Sequence, residues 1–293
     1  VPPKKRKGNA GKAADRAAHP AADILRRDRI AALSLAGIVV FVFRGGLANG
    51  LVADDFSLIN YCGPEGAGSI LGAFDPWRDT WYYRPITKLV FALAYTLFGT
   101  APAPYHVLGL LAHAAAVVLL YFVARRAGAS AVPAFAGALV FAVHFRQHES
   151  VFWFSAISYP LSTCLGLASA LLFRASLAES GSGLLAAALA ASSAAMLTKD
   201  TAAVVPVLVG LYGLLFAGRV LEGASGRRRL FWVLPLALVM LVGVGLQAVP
   251  VGGRPFARGG AGFSPKGVAE SLVFVERSAA LMVSGFDARS DAA

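Results

Sequence analysis

Charge is scarce in this sequence. Only 15% of its 293 residues are Asp, Glu, Lys or Arg, where an ordinary soluble domain carries about 25%. Long polar stretches are absent between the two ends, and mean hydropathy is +0.64. A water-soluble core of this size has no room for an apolar share of 57%, so a single soluble domain is excluded. Disorder is excluded by the same composition, because it requires low hydrophobicity. Cysteine is nearly missing: Cys62 falls in an expected loop and Cys164 inside an expected span, so no disulfide is expected. There is no P-loop, no dinucleotide fingerprint, no zinc-type cysteine spacing and no internal repeat. Any chemistry here must run on acids, bases and anion-binding cations.

What remains is apolar runs separated by short polar punctuation. The reading is an all-α, polytopic transmembrane helix bundle with interfacial helices in its first outer loop. Residues 1–29 form a basic Ala/Lys/Arg-rich arm, expected to be flexible and cytoplasmic. It is too long and polar for a signal-peptide n-region, so the first apolar stretch is expected to be an uncleaved anchor. Residues 30–250 form the membrane module, with spans expected at 30–50, 105–124, 129–145, 157–173, 183–198, 201–217 and 230–250. Residues 251–293 are a Gly-rich tail on the extracytoplasmic side.

The stretch 86–98 is apolar but short of the ~20 residues a crossing needs. If it does not cross, the cations of the arm share the inner side with Arg125, Arg126, Arg174, Arg219 and Arg227 to Arg229. Fewer then lie outside: Arg44, Arg78, Arg84, Lys88, Arg146 and Lys199. That asymmetry fits the positive-inside rule. The tail's cations blunt it, but long segments count less. The expectation is therefore seven spans, an inner N-terminus and 86–98 lying along the outer surface. A net charge of +11 then reports topology and anionic lipid, with no nucleic acid partner. The expected location is a bacterial inner membrane or its equivalent.

This topology gathers the chemical residues on the outer side. Asp54 and Asp55 follow the first span; adjacent carboxylates repel, and one can serve as a general base or a cation ligand. Their bland alternative is a solvated acid pair. DPWRDTWYYRPITK supplies Trp77, Trp81, Tyr82 and Tyr83, which could be a mere aromatic belt, and Arg84, whose planar fork suits phosphate oxygens. HFRQHE holds His144, Arg146, His148 and Glu149 between apolar runs, where polar clusters are costly and usually functional; a short polar loop is the plain alternative. His144 and His148 at i, i+4 have no obvious third metal ligand. Lys199 and Asp200 interrupt two further runs, either as a turn or as a phosphate-neutralising pair. His106 and His113 share one face of a span, where histidine is more often packed than catalytic. Arg44 is expected to snorkel.

In order, the runs ADDFSLI, YYRPITKLVFALAYTLFGTAPAPYHVLGLLAHAAAVVLLYFVARR, ALVFAVHFRQHESVFWFSAISYPLS and MLTKDTAAVVPVLV resemble the C-type (GT-C) glycosyltransferases, over about residues 30–250. The likeness is to the protein O-mannosyltransferase-like branch, including transmembrane enzymes with tetratricopeptide repeats. The resemblance implies an enzyme that takes a sugar from a polyprenyl-phosphate carrier on the outer face and passes it, with inversion, to an acceptor hydroxyl of a protein or glycan. It implies a catalytic set of Asp54, Asp55 and Glu149. It matches Arg84, His144, Lys199 and Asp200 to substrate binding, and the residues themselves add Tyr83, His106 and His148 to that expected set. No cofactor is required by the pattern; a divalent metal ion is the one the acids could take, with no ligands assigned. Phe145 stands where the family usually has proline, and Ile157, Ser158 and Tyr159 replace a basic-acidic pair. The family pattern also continues in further spans after Ala293. A second reading is a non-catalytic GT-C-like membrane subunit that docks with a partner protein. A transporter is disfavoured, because the ionisable residues sit at span ends.

Overall fold

The computed structural model describes residues 9–62, 72–75, 83–179, 181–216 and 226–248; for 9–23, 61–62 and 226–232 it describes the backbone alone. Trp77, Arg78, Trp81, Tyr82 and the tail 251–293 lie outside the described residues, as does the side chain of Cys62. No strand occurs among the described residues, and the chain is an all-α membrane helix bundle.

Among the described residues the helices are α1 (Asn9–Phe43), α2 (Asp54–Cys62), α3 (Pro85–Phe98), α4 (Pro102–Arg126), α5 (Ala131–Val143), α6 (Gln147–Phe152), α7 (Ser158–Glu179), α8 (Ser182–Thr198), α9 (Val205–Phe216) and α10 (Gly226–Ala248). Tight 3₁₀ turns at Arg44–Ala48, Phe154–Ile157 and Asp200–Val204 join several of them. Among the described residues, three helical stretches, Ile24–Ala48, Pro102–Arg126 and Phe154–Glu179, are long and apolar enough to cross a bilayer. Ala131–Val143, Ser182–Thr198, Asp200–Gly213 and Val233–Gln247 are apolar but shorter, and the other expected spans fall on them. The arm also differs from its expected flexible form: from Asn9 onward its backbone continues α1. Ala, Lys and Arg are strong helix formers, so polarity there did not interrupt the helix.

The surface is apolar where a soluble protein would be polar. Leu33, Phe41, Val132, Val140 and Leu241 are each more than three-fifths exposed, which water would penalise and lipid does not. The interior uses small and hydroxyl side chains instead. Ser158, Ser162, Ser169, Ser176 and Ser192 are buried. Ser169 Oγ donates to the Ala188 carbonyl at 2.8 Å and meets Ser192 Oγ at 2.8 Å. Small residues let helix backbones approach, and such hydrogen bonds join helices where no hydrophobic force does.

Three apolar clusters set the layout. Leu35, Val39 and Phe43 of α1 meet Leu110, Val117 and Tyr121 of α4 and Ala134, Ala138 and Ala142 of α5. Ala170, Phe173 and Leu177 of α7 meet Leu185 and Ala188 of α8, Val209 of α9 and Leu236 of α10. Ile59 of α2, Phe91 and Ala94 of α3, Tyr105 and the Phe154–Ile157 turn make the third. α1 and α4 run antiparallel: Phe43 meets His113, while Asp28 accepts from Tyr121 Oη at 2.6 Å and Arg125 Nε at 2.9 Å. The α4–α5 reversal is a Schellman-type cap. Ala129 N–H donates back to the Ala124 carbonyl at 3.0 Å, across Gly128 at φ +105°, a conformation that favours glycine.

α3 lies at one end of the bundle. Near its start, Thr87 Oγ1 donates to the Thr198 carbonyl at the end of α8, at 2.7 Å. Just past its finish, the Gly99 carbonyl accepts from Tyr105 Oη near the start of α4. In the up-and-down order of the bundle, the end of α8 and the start of α4 belong to the same end. That end carries the candidate site.

Candidate functional site

The acid pair comes first along the chain. The helix α1 ends in the Arg44–Ala48 turn, where Arg44 folds back to donate to the Phe41 carbonyl. The chain then kinks at Ala53, a non-glycine residue at φ +44°. Positive φ costs an L-residue energy and persists only where neighbours enforce it. The kink starts α2 with Asp54 and Asp55 in its first turn, where the helix dipole favours negative charge.

The two aspartates are in different surroundings. Asp55 is fully buried. Its Oδ2 accepts from Val52 N–H at 3.0 Å, and its Oδ1 accepts from Ser155 N–H at 2.7 Å and Ser155 Oγ at 2.6 Å. Its lone pairs are committed, so it holds α2 against the Phe154–Ile157 turn. Asp54 is exposed and is the member of the pair that a substrate could reach.

Tyr159, two residues beyond that turn, is half exposed. Lys199 Nζ sits 3.9 Å from its ring centroid, a cation–π contact. Lys199 itself is buried at the end of α8. Its ammonium lies 4.0 Å from Asp200 Oδ1. Burial, and then the neighbouring Arg84, pull its pKa down from 10.5 to about 8, against the opposing pull of Asp200. The same Asp200 Oδ1 accepts from Arg84 Nη2 at 2.6 Å. Arg84 leads into α3, and the α2–α3 cluster of Ile59 and Phe91 returns to the start. The contacts therefore close a ring: α2, the Ser155 turn, Tyr159, Lys199, Asp200, Arg84, α3.

Arg84 is steadied from behind by Tyr83. That ring is buried, its hydroxyl donates to the Phe74 carbonyl at 3.0 Å, and its own carbonyl accepts from Gln247 Nε2 at 3.0 Å. Tyr83 thus acts as a brace. Gln247 also donates to the Met196 carbonyl at 3.3 Å and closes one end of a groove of about 240 Å³ between α8 and α10, lined by Met196, Leu238, Val242 and Gly243. The groove is largely apolar, and its Gln247 is the residue that touches Tyr83.

The histidines divide. His144, His148 and Glu149 are exposed, in the turn after α5 and the start of α6. His144 Nδ1 accepts from Arg146 N–H at 3.3 Å, and its ring stacks on Phe145. His148 Nδ1 meets the Phe145 carbonyl at 2.5 Å. No group of three His, Cys, Asp or Glu side chains converges among the described residues, and the described donors do not fit a metal site. His106 is buried near the start of α4, and neither ring nitrogen has a partner among the described residues. His113 packs in the core, with its Nε2 3.0 Å from the Ala142 carbonyl.

Ser155, Tyr159 and Gln247 were not singled out from the sequence. Each acts through a contact far along the chain, and no local spacing announces it. Tyr159 carried one signal: it lies where the resembled family places a basic-acidic pair.

Over 183 residues, 61% of this chain, the sequence is 30% identical to the protein O-mannosyl-transferase Tmtc1 of Drosophila melanogaster. The chain spans 21% of that protein's length. No protein-family profile matches the chain, and no solved structure matches it.

Proposed function

We propose that this chain is the sugar-transferring module of a membrane glycosyltransferase that uses a polyprenyl-phosphate-linked donor on the extracytoplasmic face. The observation that carries the reading is the meeting of Arg84 and Lys199 at one oxygen of Asp200, at the bundle end that also bears Asp54. The O-mannosyl-transferase named above supports it by sequence likeness.

The chemistry follows from the charges. Breaking a glycosyl phosphodiester builds positive charge on the anomeric carbon and negative charge on the departing phosphate. Arg84 and Lys199 stabilise that phosphate electrostatically in a partly desolvated site. Asp54 takes the proton of the acceptor hydroxyl as its oxygen attacks the opposite face of the sugar. One C–O bond to phosphate breaks, one C–O bond to the acceptor forms, and the configuration inverts. Asp55 positions Asp54 through Ser155. Glu149, His144 and His148 lie on the outer turn and hold the acceptor, a protein or glycan. The apolar groove beside Gln247 takes the isoprenoid stem.

In the membrane, α1, α4, α5, α7, α8, α9 and α10 cross, the N-terminus is cytoplasmic and α3 lies along the outer surface. The shorter crossings tilt or thin the bilayer locally.

The test is transfer from a short-chain polyprenyl-phosphate mannose to an acceptor in reconstituted vesicles. Transfer that falls with Arg84→Gln and Asp54→Asn, in folded protein, supports the assignment. Transfer unaffected by both substitutions overturns it.

A further inference from the structure

Arg84 and Lys199 share a partner that is more exposed than either of them. Asp200 Oδ1 lies 2.6 Å from Arg84 Nη2 and 4.0 Å from Lys199 Nζ. The Asp200 side chain is 40% exposed while that of Lys199 is 6% exposed. The carboxylate is therefore on the open side of a buried ammonium. The Lys199 ammonium makes no hydrogen bond among the described residues; it rests on the Tyr159 ring and faces Asp200 beyond hydrogen-bond reach. An ammonium has three donors, and a buried one without acceptors costs free energy. The pair of cations thus holds one carboxylate oxygen where a ligand oxygen would make better contacts.

The Arg84–Asp200 contact also joins two elements. It ties the start of α3 to the turn after α8, beside the hydrogen bond from Thr87 to the Thr198 carbonyl. The pair is only partly buried, and an ion pair open to solvent on one side adds little net stability, so an anion with several oxygens can replace it.

We infer that Asp200 is an exchangeable counterion: an arriving phosphate displaces it from Arg84, and its return to Arg84 expels the phosphate after the reaction. This rests on the phosphate-binding role proposed above for Arg84 and Lys199. The need for expulsion comes from the reaction's own charge change. A glycosyl phosphodiester carries one negative charge; the phosphomonoester left after transfer carries up to two. A bare pair of cations would hold the product more tightly than the substrate. A resident carboxylate reduces the local charge and competes for Arg84 with the group that has to leave. Asp200 is thus a positioning and release residue, acting through Arg84.

The test titrates the detergent-solubilised full chain with farnesyl phosphate, a phosphomonoester on a short isoprenoid, and with inorganic phosphate as competitor. Wild-type protein is expected to bind and Arg84→Gln to bind more weakly. Asp200→Asn is expected to bind farnesyl phosphate about fivefold or more tightly, because the negative charge that competes for Arg84 is removed. Asp200→Glu is expected to stay near wild type. Asp200→Ser repeats the charge loss if the asparagine variant does not fold. In vesicles, the neutral variants should show stronger inhibition of transfer by added farnesyl phosphate than wild-type protein does.

Binding that weakens with Arg84→Gln but is unchanged or weaker in both neutral Asp200 variants leaves the phosphate site standing and overturns the counterion role. Binding indifferent to Arg84→Gln, or absent throughout, overturns both. Binding seen only in the neutral variants supports the counterion role in its strongest form. Farnesyl phosphate binding that inorganic phosphate does not contest places the affinity in the lipid stem and overturns the proposal.

Discussion

Asp55 holds Ser155 by two hydrogen bonds across one hundred positions of sequence, from its N–H at 2.7 Å and its hydroxyl at 2.6 Å. With Val52 N–H on the other oxygen, this buried carboxylate is a structural tie, while its neighbour Asp54 is exposed. The pair therefore separates by experiment. Asp55→Ala should lower stability by ~3 kcal/mol, because hydrogen bonds to a charged group are lost and buried donors are left behind. Asp54→Asn should change stability by no more than ~0.5 kcal/mol yet cut transfer ~100-fold or more, the range for losing a general base. Thermal melts and initial rates on the two variants check this. Equal stability loss in both would remove the division of labour.

Glu149 begins α6, is exposed, and its carbonyl accepts from Trp153 N–H at 3.1 Å. Its carboxylate is free of packing duties. If it holds the acceptor, Glu149→Gln should raise the acceptor KM with kcat little changed, the pattern of a lost ground-state contact. Stability should move by less than ~0.5 kcal/mol. A fall in kcat with KM constant would instead make Glu149 part of the bond-breaking step.

Much of this was legible in the residues themselves. The membrane class followed from how little charge there is, and Arg84, Lys199 and Asp200, which interrupt separate apolar runs, meet in the structure. The inequality of Asp54 and Asp55 was not legible, because it depends on Ser155, a partner set by the packing of α2 on a distant turn. The helical continuation through the basic arm was missed because its polarity was weighed above its helix propensity. The Tyr159 seat for Lys199 could not be read either, since a cation–π contact has no sequence period.

Gly46 tests the packing under the acid pair. A Cβ there would overlap the ring of Phe152, which itself meets Phe43 at 5.7 Å between centroids. A ring in that position cannot yield without moving α6. Gly46→Ala should therefore cost ~1–3 kcal/mol, the range for overpacking. Gly243 makes a useful contrast. Its added Cβ would meet the terminal methyl of Met196, a flexible side chain that adapts. Gly243→Ala should cost less than Gly46→Ala in the same chemical melt. The reverse order would show that α6 is loosely held and the turn after α1 is not a rigid support.

Lys199 makes two properties move in opposite directions over one pH window. Burial and Arg84 lower its pKa from 10.5 to about 8. Below that value the ammonium is charged in both folded and unfolded chains, and its burial penalty is constant. Between about 8 and 10.5 the unfolded chain holds the proton and the folded one does not, so the Lys199 contribution to stability rises with pH. Phosphate binding runs the other way: one of its two cations is lost as pH climbs through about 8, while Arg84 keeps its charge. Farnesyl phosphate affinity should drop across that step, and Lys199→Met should abolish the step. The same substitution should leave the protein as stable or more so, since a buried charge gives way to an apolar chain of similar length. An affinity that stays flat from about pH 7 to about pH 10 in wild-type protein would remove Lys199 from the phosphate site.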